Sequence, residues 1–250
     1  MKGLKVSIVF FLFFTCIITI NSNAYGENKK WRDEAKISFL DTGGNTDVVS
    51  LSFTNLLNYT FSKRFEGALK LGALYGEDDG EKNSESYQAE ARLDSLFTKK
   101  FFASIITGWL KDEFAGIDSR YYIGPALGYK FLTGPKQYFK SEVKLDYVKE
   151  KYVSESTPEP DDSDYLRGGV LGQYEYRFTE KNKFSQSIEW LNDFDNSDNY
   201  TINSVTALIS AINNFASLQT SYEIKYDNDP TPSSLNKTDT ILSLTLVFNY

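Results

Sequence analysis

The chain has 250 residues, with 27 basic and 34 acidic side chains, one Cys, one Met and no His. Without His there is no Ser-His-Asp or Cys-His catalysis and no His-ligated metal, and one Cys permits neither an internal disulfide nor a Cys-based zinc site. A net charge of −7 and a pI near 4.9 argue against a nucleic-acid binder, which needs a basic face.

The first segment reads as an export signal. Lys2 and Lys5 precede an unbroken apolar run, Val6–Ile20, followed by polar Asn21, Ser22 and Asn23 and then Ala24. A charged start, a short apolar core and small residues at −3 and −1 predict cleavage after Ala24. The run is short for a helix that must cross about 30 Å of hydrocarbon. Cys16 lies inside the run, where a lipid-attachment cysteine does not belong. The mature chain expected is Tyr25–Tyr250, with 25 basic against 34 acidic residues, a charge of −9 and no cysteine.

The rest alternates with period two. In Phe65–Tyr75 the odd positions Phe65, Leu69, Leu71, Ala73 and Tyr75 are apolar, with Gly67 among them, while Glu66, Lys70 and Gly72 are even. In Tyr87–Phe97, Tyr87, Ala89, Ala91, Leu93 and Phe97 share one face, and Gln88, Glu90, Arg92 and Asp94 share the other. Near the end Leu242, Leu244, Leu246, Phe248 and Tyr250 alternate with Ser243, Thr245 and Asn249. Such alternation puts successive side chains on opposite faces of a strand. Twelve segments of this kind start near residues 31, 47, 64, 84, 101, 119, 138, 164, 183, 199, 215 and 238. Phe101–Leu110 and Tyr200–Ile212 are partly apolar on both faces, and the second fits a helix by pattern alone; length and neighbours favour strands.

Short connections (Ser62–Arg64, Thr98–Lys100, Leu132–Gln137, Thr179–Lys183, Asn213-Asn214) alternate with longer ones (Asp41–Asp47, Gly76–Ser84, Lys111–Ser119, Lys149–Asp164, Asn192–Asn199, Asp227–Thr238). Aromatic residues flank the short turns: Tyr59, Phe61 and Phe65; Phe97 and Phe101; Tyr129, Phe131, Tyr138 and Phe139; Tyr176, Phe178 and Phe184; Phe215; and the terminal Phe248 and Tyr250. A thinner set, Tyr75, Tyr87, Trp109, Tyr121, Tyr147, Trp190, Tyr200 and Tyr226, lies near the long loops. Two aromatic levels separated by strands of about 9–11 residues are the signature of a barrel crossing an outer membrane. A soluble barrel or sandwich has the same alternation with the apolar face turned inward, but twelve such faces would enclose a very large dry interior. The expectation is therefore an all-β, up-and-down antiparallel transmembrane barrel of twelve strands, residues 25–250, in a Gram-negative outer membrane. Closure pairs every backbone N–H and C=O, as lipid demands.

The first hairpin, Ile37-Ser38-Phe39-Leu40-Asp41-Thr42-Gly43-Gly44-Asn45-Thr46, has a Gly-Asn-Thr tip. The last combines Tyr222–Pro230, Lys237-Thr238-Asp239-Thr240 and the ending Leu246-Val247-Phe248-Asn249-Tyr250. Together they resemble the domain of unknown function 481 family, also described as salt-induced outer membrane proteins, over essentially the whole mature chain. The resemblance implies an outer-membrane barrel and brings no activity or site residues. The ending departs from a terminal Phe, and Phe248 with Tyr250 looks like a signal to the barrel-assembly machinery.

If the polar faces line the lumen, its charges are mixed: Glu66, Lys70, Glu90, Arg92, Asp94, Arg120, Lys130, Lys140, Glu142, Lys144, Asp146, Arg167, Glu175, Arg177, Glu189, Glu223 and Lys225. A near-balanced lumen has little net field for one ion sign. Arg92, Lys140, Lys144, Arg167 and Arg177, with Glu90, Glu142 and Glu175, are the constriction candidates; the competing reading is that each is an ion pair bracing the wall. The long loops are mostly acidic and the short turns mostly basic. Asp193, Asp195 and Asp198 look a little like the start of a calcium loop, but the central Gly and terminal Glu are missing, so a solvated acidic loop is the simpler reading. Adjacent carboxylates such as Asp78-Asp79 and Asp161-Asp162 lack the apolar setting that splits two pKa values, and no phosphate-binding loop is present. The Asn-x-Thr triplets at Asn58, Asn199 and Asn236 signal glycosylation only in eukaryotic secretion. The expectation is a monomer without cofactor or metal, contacting lipid and lipopolysaccharide, with no enzymatic activity and no nucleic-acid partner. Either it passes small solutes or ions, or it is a non-conducting envelope barrel whose acidic loops gather cations.

Overall fold

The computed structural model describes residues 30–43, 48–78, 81–113, 116–153, 163–230, 233 and 235–249. The predicted signal segment and Tyr250 lie outside the described residues.

Twelve strands follow in chain order: β1 Trp31–Gly43, β2 Val48–Thr60, β3 Phe65–Asp78, β4 Glu81–Leu96, β5 Phe101–Asp112, β6 Ile117–Thr133, β7 Gln137–Tyr152, β8 Ser163–Arg177, β9 Asn182–Asp193, β10 Tyr200–Ala211, β11 Ala216–Asp227 and β12 Thr238–Asn249. Each pairs antiparallel with its chain neighbours, and β1 closes on β12 through pairs such as Ser38 with Thr245 and Phe39 with Leu244. The sheet has no edge, so its ladder groups are paired within the chain. Both ambiguous segments are strands, because each is held on two sides by the ladder. The strands run from 12 to 17 residues rather than 9–11. The longest, β4, β6 and β7, extend into stretches taken as long loops.

The open question of which face is wet is answered by exposure. Ile37, Phe39, Leu69, Leu93, Ile105, Ile123, Leu127, Val143, Leu145, Val170, Leu242, Leu244 and Leu246 all point outward and are 38–54% exposed. Their polar neighbours, one residue away, point inward. An exposed apolar band around a closed barrel, with a charged interior, is the inverse of a soluble barrel. Rings gather at the short-turn level: Tyr59 meets Phe61 edge-on at 4.8 Å, Phe97 stacks on Phe101 at 5.5 Å, Phe131 stacks on Phe139 at 5.2 Å, and Tyr176 meets Phe178 at 5.2 Å.

Four of the short turns use one local device. The side-chain oxygen of Ser62, Thr98, Thr179 or Asn213 accepts from the backbone N–H groups two and three residues later, at 2.8–3.2 Å. These residues favour turns because a short polar side chain can stand in for a backbone acceptor.

Candidate functional site: the charged wall of the lumen

The inward charges concentrate on β4 to β9 and form three successive groups. Nearest the short turns, Arg92 on β4 donates from Nε to Asp94 Oδ1 at 2.6 Å and from Nη2 to Ser104 Oγ at 2.7 Å. Its Nη2 also lies 2.8 Å from Glu142 Oε2 on β7, and Lys140 Nζ donates to Glu142 Oε1 at 2.6 Å. Arg92 reaches Glu142 across β5 and β6, past small Ser104, Ala126 and Gly128. The Phe102 ring fills the space above Gly128, where any Cβ would overlap it. Three cations, Lys130, Arg92 and Lys140, sit 5.5, 5.7 and 5.9 Å from that ring. Together they form a cation–π cluster on a largely buried aromatic face.

In the middle group, Tyr122 on β6 lies over Gly108 on β5, which has no side chain to obstruct it, and its hydroxyl donates to Glu90 Oε2 on β4 at 2.6 Å. The Arg167 guanidinium lies over the same ring, 5.5 Å from its centre, and donates to Asp146 Oδ2 at 3.0 Å. Lys144 Nζ bridges Glu189 at 2.7 Å and Asp146 at 3.8 Å. Nearest the long loops, Arg120 grips Glu150 with two bonds, at 2.8 and 2.6 Å, and the Tyr165 hydroxyl adds a third at 2.9 Å. This forked geometry is the strongest form of an ion pair. Glu150 and Asp146 are each only 1% exposed. At the same level Lys225 Nζ on β11 lies 3.5 Å from Asp112 Oδ2 on β5.

The remaining wall is milder. Ser38, Ser50, Ser221, Thr245 and Asn203 face inward there, beside a Glu34–Lys36 pair at 2.9 Å. Among the described residues, Asp146 Oδ1, Arg167 Nε, Ser163 Oγ and Asn203 Oδ1 are buried polar atoms without a hydrogen-bond partner.

Six of the eight constriction candidates, Glu90, Arg92, Lys140, Glu142, Lys144 and Arg167, fall in the first two groups. Glu175 and Arg177 do not join them. They lie at the short-turn end of β8, where Glu175 pairs with Lys183 at 3.3 Å and Arg177 is exposed. In the loop after β9, Asp195 and Asp198 are exposed, and the Asp193 carboxylate accepts from Asp195 N and Asn199 Nδ2, at 2.8 and 3.1 Å. Among the described residues no cluster of acidic groups has the arrangement of a metal site. Asp112 and Glu150 join the lumen wall because β5 and β7 run past the loop starts expected at Lys111 and Lys149. The inward parity of Lys140, Glu142, Lys144 and Asp146 continues to Glu150, and that signal was available in the sequence. Phe102 and Tyr122 lack such a signal, since an inward aromatic becomes legible only with its cross-strand glycine.

A closed twelve-stranded barrel with an apolar outer band and a charged interior has the fold of outer-membrane channels. The solved NanC porin superimposes on it with a TM-score of 0.60 at 9% identity, covering 86% of this chain and 98% of the porin. The COG4313 outer membrane channel of Pseudomonas putida F1 does so with a TM-score of 0.55 at 12% identity, covering 92% and 99%. By sequence, residues 35–250 match the family model described as "Protein of unknown function, DUF481", and the chain belongs to that family. The uncharacterized protein YdiY of Escherichia coli (strain K12) is 24% identical over 236 residues, spanning 93% of this chain and 88% of the relative.

Proposed function

We propose that this protein resides in the outer membrane and passes small polar solutes or ions through its lumen. The observation that carries this reading is that, among the described residues, Arg167 Nε and Asp146 Oδ1 are buried without a hydrogen-bond partner. Leaving Arg167 Nε and Asp146 Oδ1 dry would cost about 1–3 kcal/mol each, more for charged groups, so the space beside them suits water or a polar solute. The named structural neighbours include a porin and an outer membrane channel, which supports the same reading. Cationic and anionic groups are interleaved along β4 to β9, so the wall offers partners to either sign and favours small neutral, zwitterionic or weakly charged solutes.

A second reading has its own support. Arg92, Glu142, Arg120 and Glu150 satisfy one another, and such pairing braces a wall whether or not anything passes. On that reading the barrel is an envelope element whose acidic long loops gather cations at the lipopolysaccharide surface. Under both readings it is a monomer, delivered by its leader and assembled through an aromatic ending that includes outward-facing Phe248. Single-channel recording of the refolded chain in a planar bilayer separates the two, with heat-shifted gel mobility as the proof of folding. Stepwise openings are expected; a folded, inserted and silent barrel would establish the second reading.

A further inference from the structure

The ion pair between Asp112 and Lys225 is unlike the others because its strands lie on opposite sides of the barrel. Going either way round the closed sheet, five strands separate β5 from β11. Twelve strands spaced about 4.8 Å apart and tilted by about 40° give a circular barrel about 24 Å across between backbones. An extended lysine and an aspartate together reach about 10 Å by standard bond lengths, and the contact between them is 3.5 Å. The two backbones at this level are therefore much closer than a circular cross-section allows.

The ladder is irregular at this level. The register of β5 with β6 shifts between Leu110 and Asp112, and that of β6 with β7 shifts between Ile117 and Ser119. Such irregularities bend a strand and raise its local twist. Gly116, at the end of this hairpin, has φ of 68°, a backbone form that glycine adopts without strain. Beyond the shifts Asp112 and Ile117 are 5% and 3% exposed, although they stand at the rim. Ile117 pairs with Asp112 on one side and Tyr152 on the other. It and the buried Arg120–Glu150–Tyr165 cluster lie at the same end of the barrel.

We propose that the end of β5 at Leu110–Asp112 and the start of β6 at Ile117 lean across the long-loop mouth and are tied to the opposite wall by Asp112–Lys225. This bar forms the constriction of the pore, and Lys225 is the residue that sets its passage. The inference rests on the channel reading above and places its narrowest point at the mouth, not at Arg92 or Arg167. Solutes must pass beside a neutral pair of opposite charges. Breaking the pair releases the hairpin and widens the mouth.

Two measurements on the full chain test this. A zero-length carbodiimide joins a lysine to a carboxylate only where they touch, so mass spectrometry should find Lys225 linked to Asp112, with Lys144 linked to Glu189 as the positive control. In planar bilayers Lys225→Gln and Asp112→Asn should each raise conductance at least about twofold. The swapped variant, Asp112→Lys with Lys225→Asp, should return it to the wild-type value. Failure of the Lys225–Asp112 link while the control link forms would overturn it. So would a conducting wild type whose conductance neither single variant changes; that result leaves the channel reading standing. Silence from all folded barrels would sink the channel reading and the constriction with it.

Discussion

At the scale of single residues, the lumen wall depends on small residues making room for large ones. Gly128 and Gly108 leave the space into which Phe102 and Tyr122 fold, and those rings then hold cations on their faces. Gly128→Val should therefore destabilise the folded barrel by about 1–3 kcal/mol, the usual range for overpacking. Urea unfolding in lipid vesicles, read as loss of the heat-shifted gel band, would check this. Glu142 is the acceptor for both Arg92 and Lys140 and is itself buried. Glu142→Ala leaves two cations facing each other, and removing one partner of a buried pair costs about 3–5 kcal/mol in a dry interior. The same assay should give a smaller loss here, because Arg92 keeps the Asp94 carboxylate as a partner at 2.6 Å. A change no larger than that of exposed Arg177→Ala would contradict the network's bracing role. The inward identity of Arg92, Glu142 and Arg167 was legible from parity alone. Their partners were not, because an ion pair that skips two strands depends on register and on what stands between.

At the scale of elements, the alternation specified the strands closely. The segments expected near residues 31, 101 and 238 begin at Trp31, Phe101 and Thr238. The aromatic clusters marked the short-turn ends correctly, since Phe61, Phe97 and Phe178 sit at those turns. The far ends were less legible. There β6 and β7 continue as a polar, two-faced ribbon without the apolar alternation that marks lipid contact, and a charged extension such as Lys149-Glu150-Lys151 reads like loop. The outward face carries a direct consequence. Leu244 faces outward at the middle of β12 and is 50% exposed. Leu244→Arg should cost about 2–4 kcal/mol if it meets the bilayer midplane. Ser243→Arg, one residue before it on the inward face and only half-buried, would enter the lumen instead. A soluble barrel predicts the reverse order, so unfolding free energies of the two variants in vesicles discriminate between the orientations.

At the scale of the whole molecule, closure, an apolar exterior and an interior of interleaved charge form one argument. The closed sheet removes edges, the outer band suits hydrocarbon, and the interior charges pair with one another across strands. The most direct test is single-channel recording of the wild-type barrel under a salt gradient, on protein proved folded by its gel shift. Stepwise openings and a small reversal potential are expected, because cationic and anionic groups alternate along the lumen. A folded and inserted barrel that carries no current would contradict the channel reading.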